Sequence, residues 1–265
     1  MRKILELLLT AALMLCSGCA NLNLLTESYE NRLGLDAYAE AVKEYPQITS
    51  GAEFDLVQRV GRNIAAASGK DYEWEFRLLA APDVVNAFCL PGGKVAIYTG
   101  ILKVTQDEGG LAAVMGHEVA HATMRHGGKR MSNQILLTVT LAAAAAGLSM
   151  SKMSDDEKTG LMAAFGLGAQ VGITLPYSRG HETEADVEGV RYAIRAGYDP
   201  YAAVRLWERM AANDRGGLSW FSTHPDPLDR ASKLEAEIPR ILQEEGKPAQ
   251  PPSGQPNAPN KAIRR

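Results

Sequence analysis

The sequence predicts an α+β fold that is mainly helical and contains a small β-sheet. Apolar residues recur at helical spacing over residues 51–68, which is typical of an amphipathic helix. Two stretches rich in strand-forming residues follow, YEWEFRLLA from Tyr72 and KVAIYTG over residues 94–100, and PGG at 91–93 predicts a turn before the second. Beyond residue 100 the pattern is helical almost to the end, divided by glycine pairs and prolines.

The 265-residue chain, with 46% apolar and 22% charged residues, has the composition of an ordinary globular protein. We expect one folded domain over residues 47–243, preceded by a lead-in over residues 19–46. Residues 244–265 are rich in Pro, Gln, Asn and Gly and are predicted to be disordered. The net charge of -3 and the mixed signs along the chain argue against nucleic acid as a partner.

The N-terminus has the layout of a secretory signal. Arg2 and Lys3 precede an apolar run over residues 7–15, and small residues and cysteines follow it. This run is shorter than the roughly 20 residues that a spanning helix needs. Residues 1–18 are therefore predicted to be a signal peptide.

The residues around Cys19 resemble a bacterial lipobox, after which the chain is cleaved and the cysteine carries lipid. The small pair at 17–18 fits this pattern, whereas Glu6 and Cys16 depart from it. A plain cleaved signal or an uncleaved anchor remains the alternative. If Cys19 is lipidated, the protein is tethered to a membrane, and Ala20 after the cysteine suggests the outer membrane of the bacterial envelope.

Two further features bear on the environment of the chain. Cys89 has no partner once Cys16 is removed and Cys19 is lipidated, so it is predicted to be a buried strand residue. The apolar stretch 135–150 is too short and too weakly apolar for a clear membrane span. We favour a helix packed against its neighbour, with contact to the membrane surface as the alternative.

The stretch MGHEVAHATMRHGG, residues 115–128, has the spacing of a metal site. On a helix, His117 and His121 lie roughly 40° apart around the axis and roughly 6 Å apart along it, so both rings can bind one zinc ion. Glu118 then faces a metal-bound water. His126 falls off this face and is interpreted as a cation or donor at the helix end, where the glycines at 127–128 are predicted to terminate the helix.

A third protein ligand is expected because catalytic zinc usually has three. In YSRGHETEADVEG, residues 177–189, Glu182 and Asp186 are four apart and share one helix face. One of these carboxylates can bind the metal, while the other accepts the free ring N–H of a histidine ligand. Spacing alone does not assign the two roles, and His181 and Glu184 are also possible ligands.

HEVAH, followed about sixty residues later by SRGHETEAD, resembles the gluzincin metallopeptidases of the HtpX and CAAX prenyl protease type, most closely their soluble periplasmic lipoproteins. Ser178 and Arg179 match the start of the second motif. The resemblance implies a zincin-like metallopeptidase domain with its small β-sheet beside the HExxH helix and one Zn²⁺ per chain. It also implies that Glu182 is the third ligand, that Asp186 orients a histidine and that Glu118 is the general base.

The resemblance extends to NAFCLPGGKVAIYTGIL and to STHPDPLDR. In that family the strand beside the active-site helix binds extended substrate, which implies this role for residues 94–98; the alternative is a central strand with no free edge. His224 is implied as a transition-state donor or an inhibitory ligand, or else as a loop histidine held through packing by Pro225 and Pro227. Arg230 is implied as an anchor of the same loop, or else as a solvated side chain.

These residues predict a zinc-dependent metalloendopeptidase of the bacterial envelope, and the resemblance suggests misfolded or misassembled envelope proteins as its substrates. The outer-membrane assembly machinery is a possible partner. The alternative is a non-proteolytic, metal-containing chaperone or assembly factor for outer-membrane proteins, and a zinc hydrolase acting on a non-peptide bond is a third possibility.

Overall fold

A computed structural model describes residues 22–149, 154, 178–213, 220, 224 and 227–248 of the chain. Over these residues the elements follow one another in the order α1 (Glu27–Ala41), β1 (Gln47–Ile48), α2 (Ala52–Ser68), β2 (Glu75–Leu79), β3 (Ala87–Leu90), β4 (Lys94–Tyr98), α3 (Thr99–Thr105), α4 (Glu108–Thr123), α5 (His126–Ser149), α6 (Arg179–Arg195), α7 (Tyr201–Asn213) and α8 (Pro227–Glu244). The predicted class, mainly helical α+β with a small sheet, is confirmed.

Several predictions fall on residues outside the described part of the chain. The signal peptide, the lipidation of Cys19 and residues 249–265 of the predicted disordered tail, 244–265, all belong to this group, while Glu244 is the last residue of α8. Within the described part, the lead-in contains α1 and the predicted amphipathic helix is α2. Cys89 is a buried residue of β3, as predicted.

The sheet has the strand order β1-β2-β4-β3. Strand β4 pairs in parallel with β2 and antiparallel with β3, and all five of its residues are buried. The expectation that Lys94–Tyr98 takes up substrate by backbone pairing is therefore wrong, because both edges of this strand are already paired. The edge strand on this side of the sheet is β3, which also contacts helix α4.

Helix α4, which carries the HExxH motif, lies in the centre of the core. The Asp107 side chain accepts a hydrogen bond of 2.7 Å from the backbone N–H of Gly110 and so caps its first turn. Every residue from Gly109 to Ala122 is buried, against helices α2, α6 and α7 and strand β3. A helix that is apolar on all sides can be stable only when it is enclosed in this way.

The end of α4 differs from the prediction. The helix ends at Thr123, and Arg125 adopts the left-handed conformation with φ 59°. Its guanidinium pairs with the buried carboxylate of Glu30 at 2.7 Å, which holds a non-glycine residue in a conformation that usually favours glycine. The prediction that Gly127 and Gly128 terminate the helix is wrong, because both lie in the first turn of α5.

The chain forms two compact units. The larger holds residues 27–126 and the described residues after 176, including the sheet, in which the Tyr38 hydroxyl of α1 donates to the Val95 carbonyl at 2.8 Å. In the smaller, the Leu24 backbone N–H donates to Ser132 Oγ of α5 at 2.8 Å. Among the helices that the structure describes, none is long and apolar enough to cross a membrane.

Candidate metal centre

Two helices, α4 and α6, approach each other through a pair of glycines next to the HExxH motif. A Cβ added to Gly116 would lie 2.7 Å from the Gly189 carbonyl oxygen, and one added to Gly189 would lie 2.7 Å from the His117 backbone nitrogen. No side chain fits between these backbones. The two motifs are therefore brought together by direct contact of the helices that carry them.

Replacing Gly189 by alanine is expected to separate α4 from α6, because the new Cβ would overlap the backbone of the metal helix. Overpacking of this kind costs about 1–3 kcal/mol, and it should also weaken metal binding. Denaturant unfolding and zinc competition with a chelator would measure the two effects. The matched control is Gly127→Ala, since a Cβ at Gly127 has no atom within 4 Å. Equal stability and equal affinity in Gly189→Ala would contradict this account of the contact.

Four buried residues converge at this contact, namely His117, His121, Glu182 and His224. Their potential ligand atoms all lie within 4.8 Å of one another. His121 Nε2 lies 3.0 Å from His117 Nε2 and 3.3 Å from Glu182 Oε1. His224 Nδ1 lies 3.3 Å from His117 Nε2 and 3.2 Å from Glu182 Oε1.

These separations fit a tetrahedral ion. Ligand atoms bound about 2.0–2.1 Å from a tetrahedral zinc lie roughly 3.3 Å from each other. Five of the six pairs in the cluster are separated by 3.0 Å to 3.5 Å, with 3.5 Å between His117 Nε2 and Glu182 Oε2. Three imidazoles and one carboxylate are also a donor set that zinc accepts. The cluster therefore fits a metal ion without rearrangement of its backbone.

Asp186 lies at the Nδ1 side of His117, and Arg230 lies between Asp186 and Glu182. Asp186 Oδ1 is 2.9 Å from His117 Nδ1 and accepts a hydrogen bond of 2.6 Å from the Arg230 guanidinium. Arg230 also lies 3.0 Å from Glu182 Oε2 as an ion pair. Asp186 is thus placed to orient the ring of His117, and Arg230, which is buried rather than solvated, compensates two carboxylates.

Glu118 faces the cluster from within α4. Its Oε2 accepts a hydrogen bond of 3.2 Å from the Cys89 backbone N–H, and its Oε1 lies 3.4 Å from His224 Nε2. Among the described residues, this buried Oε1 accepts no hydrogen bond. Burial raises the pKa of Glu118 above its ordinary value, against the opposing charges of His224 and His117. The raised pKa favours uptake of a proton by this carboxylate.

The pKa values of the cluster follow from burial and from its close contacts. Burial and the Arg230 charge oppose protonation of His117, but the neighbouring carboxylates of Asp186 and Glu182 outweigh them and raise its pKa to about 9. Burial lowers the pKa of His121 well below its ordinary value. Although burial acts in the opposite direction, hydrogen bonds to the histidines hold the pKa of Glu182 far below its ordinary range. The carboxylates around His117 thus favour a positive charge at this position.

Two tryptophans that the sequence does not mark as functional enclose the site. The Trp207 ring lies edge-on to His117 with centroids 5.5 Å apart, and the Arg230 guanidinium lies 3.8 Å above it. The Trp220 ring stacks on His224 at 4.4 Å. Their distance from both motifs along the chain explains why no spacing pattern identifies them.

His126, His181 and Glu184 form a second layer beside His121. His126 Nδ1 lies 3.0 Å from His121 Nδ1, and its Nε2 lies 3.1 Å from Glu184 Oε2. The rings of His126 and His181 are stacked 4.4 Å apart. None of these three residues belongs to the four-residue cluster, so the structure places Glu182, rather than His181 or Glu184, among the candidate ligands.

A buried His-His-Glu cluster on two packed helices, beside a small sheet, defines a zincin-like metallopeptidase domain. The chain belongs to Peptidase family M48, which matches residues 52–238 and thus more than half of its length. The predicted HExxH metallopeptidase class is confirmed by this membership. The comparisons support the family as a whole rather than its periplasmic lipoproteins in particular.

Similar proteins include enzymes of mitochondria and of bacteria. The mitochondrial metalloendopeptidase OMA1 of Schizosaccharomyces pombe is 39% identical over 218 residues, which are 80% of this chain and 61% of the relative. The OMA1 protein of Saccharomyces cerevisiae is 32% identical over 176 residues, or 63% and 48% of the two chains. The β-barrel assembly-enhancing protease of Yersinia pestis is 32% identical over 155 residues, or 57% and 32%. The matched part thus spans from 32% to 61% of the length of these relatives.

Proposed function

We propose that this chain is a zinc-dependent metalloendopeptidase that hydrolyses peptide bonds of misfolded or misassembled proteins in the bacterial cell envelope. The observation that carries the proposal is the convergence of His117, His121, Glu182 and His224, within 4.8 Å of one another, next to the Glu118 carboxylate. The names of the relatives, a metalloendopeptidase and a protease, support peptide hydrolysis as the reaction.

In this proposal three residues of the chain, His117, His121 and Glu182, bind the metal, and a catalytic site leaves a further position for water or substrate. A zinc ion held there would polarise the scissile carbonyl and lower the pKa of its water towards roughly 7. Glu118 accepts the proton at Oε1 and returns it to the leaving amine. His224, whose Nδ1 lies 3.2 Å from Glu182 Oε1, would hold the ion as an additional ligand when substrate is absent.

The proposed substrate site is the edge of β3. Among the described residues this strand pairs with one neighbour, β4, and it also contacts the metal helix. Its Cys89 N–H reaches Glu118, so a peptide extended along this edge would pass close to the proposed base. Because backbone pairing does not depend on the side chains, this mode of binding suits an enzyme acting on many unfolded sequences.

The proposed cellular setting is the bacterial periplasm, with the chain attached to the outer membrane. The lipobox-like sequence before Cys19 supports lipid attachment in the periplasm. The similarity to a β-barrel assembly-enhancing protease supports a role in the quality control of outer-membrane assembly. The similarity to mitochondrial OMA1 shows that the family also acts in another compartment. Labelling with a fatty acid, lost in Cys19→Ala, would test the anchor.

The proposed metal site can be tested on the purified chain lacking residues 1–19. We expect one zinc per chain by elemental analysis and casein cleavage that a zinc chelator blocks. Glu182→Ala should lose the metal, while Glu188→Ala, six residues further along α6, should retain it. Zinc retained in Glu182→Ala would reassign the third ligand to Glu184 or His181. Binding of unfolded outer-membrane proteins without any cleavage would instead favour the alternative function, a non-proteolytic chaperone or assembly factor.

A further inference from the structure

We propose that His126 is a positioning residue for the metal centre, because it links the carboxylate of Glu184 to the ring of the proposed ligand His121. This inference rests on the proposed metal site and deepens it. His126 is the first residue of α5 and is fully buried, with 0% of its side chain exposed. A buried histidine with a partner on each ring nitrogen is held in one orientation.

The positions of the ring nitrogens allow one arrangement of protons. His121 Nε2 points into the cluster, 3.0 Å from His117 Nε2, so this nitrogen must keep its lone pair for a metal. Its Nδ1 then carries the hydrogen and donates to His126 Nδ1, 3.0 Å away. His126 in turn carries its hydrogen on Nε2 and donates to Glu184 Oε2 at 3.1 Å. The chain of contacts runs from carboxylate to histidine to ligand and fixes the tautomer at each step.

Two residues of helix α6 contact His126, one by a hydrogen bond and one by ring stacking. His181 and Glu184 are three residues apart and so lie on one face of α6. The His181 ring stacks on the His126 ring at 4.4 Å, with an angle of 15° between the planes. The Glu184 carboxylate forms a hydrogen bond with Nε2 of His126. Stacking restricts the plane of the His126 ring, and the hydrogen bond restricts its rotation.

The two histidine ligands are thus oriented by different means. Asp186 contacts His117 Nδ1 directly at 2.9 Å. Glu184 reaches His121 through the intervening ring of His126. In the segment ETEAD, Glu182 faces the metal cluster, and the two acidic residues that follow each orient one histidine of α4. Outer hydrogen bonds of this kind raise the basicity of a ligand and fix its ring.

The test is the zinc affinity of the metal-free chain lacking residues 1–19, measured by competition with a chelator. His126→Phe keeps a ring but removes both hydrogen bonds, and we expect affinity to fall about 10–100-fold. His126→Asn, whose side-chain oxygen can accept from His121, should recover part of this loss. The visible spectrum of bound Co²⁺ should change in His126→Phe, because the orientation of His121 changes.

A double-mutant comparison tests whether Glu184 acts on His121 through His126, an arrangement that we call the relay, or whether each residue only supports the fold. Glu184→Ala should weaken zinc binding in the wild-type background but add nothing in the His126→Phe background. Glu188→Ala is the matched control on α6, because Glu188 pairs with Arg191. Additive effects of His126→Phe and Glu184→Ala, or unchanged affinity in His126→Phe, would overturn the proposal.

The Glu184 variants test the relay even if His126→Phe does not fold. If His126→Phe fails to fold, Glu184→Ala with rescue by Glu184→Gln carries the test, because the Glu184 side chain is 40% exposed. Loss of affinity in Glu184→Ala that Gln restores supports the relay, and no loss rejects it. A wild-type chain that binds zinc but cleaves no peptide would reject the proposed function and leave the relay standing.

Discussion

Replacing Glu118 by glutamine is expected to abolish peptide hydrolysis while zinc stays bound. Glutamine keeps the size of the side chain and an oxygen that accepts the Cys89 N–H, which lies 3.2 Å away in the wild type. It cannot take up the proton of the attacking water, and loss of a general base costs typically 10²–10⁴-fold in rate, or about 3–5 kcal/mol of transition-state stabilisation. Casein cleavage and elemental zinc, measured on the same preparation, would check both halves of the expectation.

Glu108→Gln is the matched control for this experiment. Glu108 begins the same helix, and its carboxylate pairs with Arg59 at 2.9 Å, away from the cluster. We expect this variant to cleave casein at the wild-type rate. Activity retained in Glu118→Gln would assign the base to another residue, and His224, 3.4 Å from Glu118 Oε1, would be the first candidate. Zinc lost from Glu118→Gln would show instead that the carboxylate supports the metal site itself.

The pair of histidines in α4 could be predicted from the sequence because their relation is local. Residues four apart on a helix share a face whatever surrounds the helix, and His117 and His121 lie 3.0 Å apart at their Nε2 atoms. Glu182 could not be assigned from spacing alone. Its distance from the histidines is set by the contact of Gly116 with Gly189, and a glycine in a helix gives no sign of what it touches.

The end of α4 and the order of the strands show where local patterns were insufficient. Glycine usually supplies the left-handed residue after a helix, but here Arg125 takes that conformation and pairs with Glu30, 95 positions away in the sequence. Similarly, the strand pattern of residues 94–98 is correct, but its place in the middle of the sheet depends on pairing with β2 and β3. Both features therefore depend on contacts with residues that are distant in the sequence.

For His126 the prediction was correct in one respect, that it is not a ligand, and wrong in another, since it begins α5 rather than lying at the end of α4. Its position on the helix surface correctly separated it from His117 and His121 as a ligand. Its role as a hydrogen-bonding partner of His121 depends on a turn between α4 and α5 that brings its ring back towards the motif, to 3.0 Å between the Nδ1 atoms. A helix that continued to Gly127 would have carried the ring away.

Replacing Arg230 by methionine is expected to produce the largest loss of stability among single changes near the site. Its guanidinium donates to both oxygens of Asp186 at 2.6 Å and 2.8 Å, and it lies 3.0 Å from Glu182 Oε2. All three side chains are buried. Removing the cation leaves two carboxylates in the interior without their partner, and breaking a buried pair in this way costs about 3–5 kcal/mol. Urea unfolding of the metal-free protein would measure the difference in the free energy of unfolding.

Two comparisons test this reason for the loss. Arg240→Met removes an arginine from the same helix, but its partner Glu237 is exposed, so unfolding should be unchanged. The double variant Arg230→Met with Asp186→Asn should regain part of the stability, because one of the two uncompensated charges is gone. If the double variant is no more stable than Arg230→Met alone, the loss arises from packing against Trp207, whose ring lies 3.8 Å below the guanidinium. The sign of that difference therefore decides whether charge or packing makes Arg230 necessary.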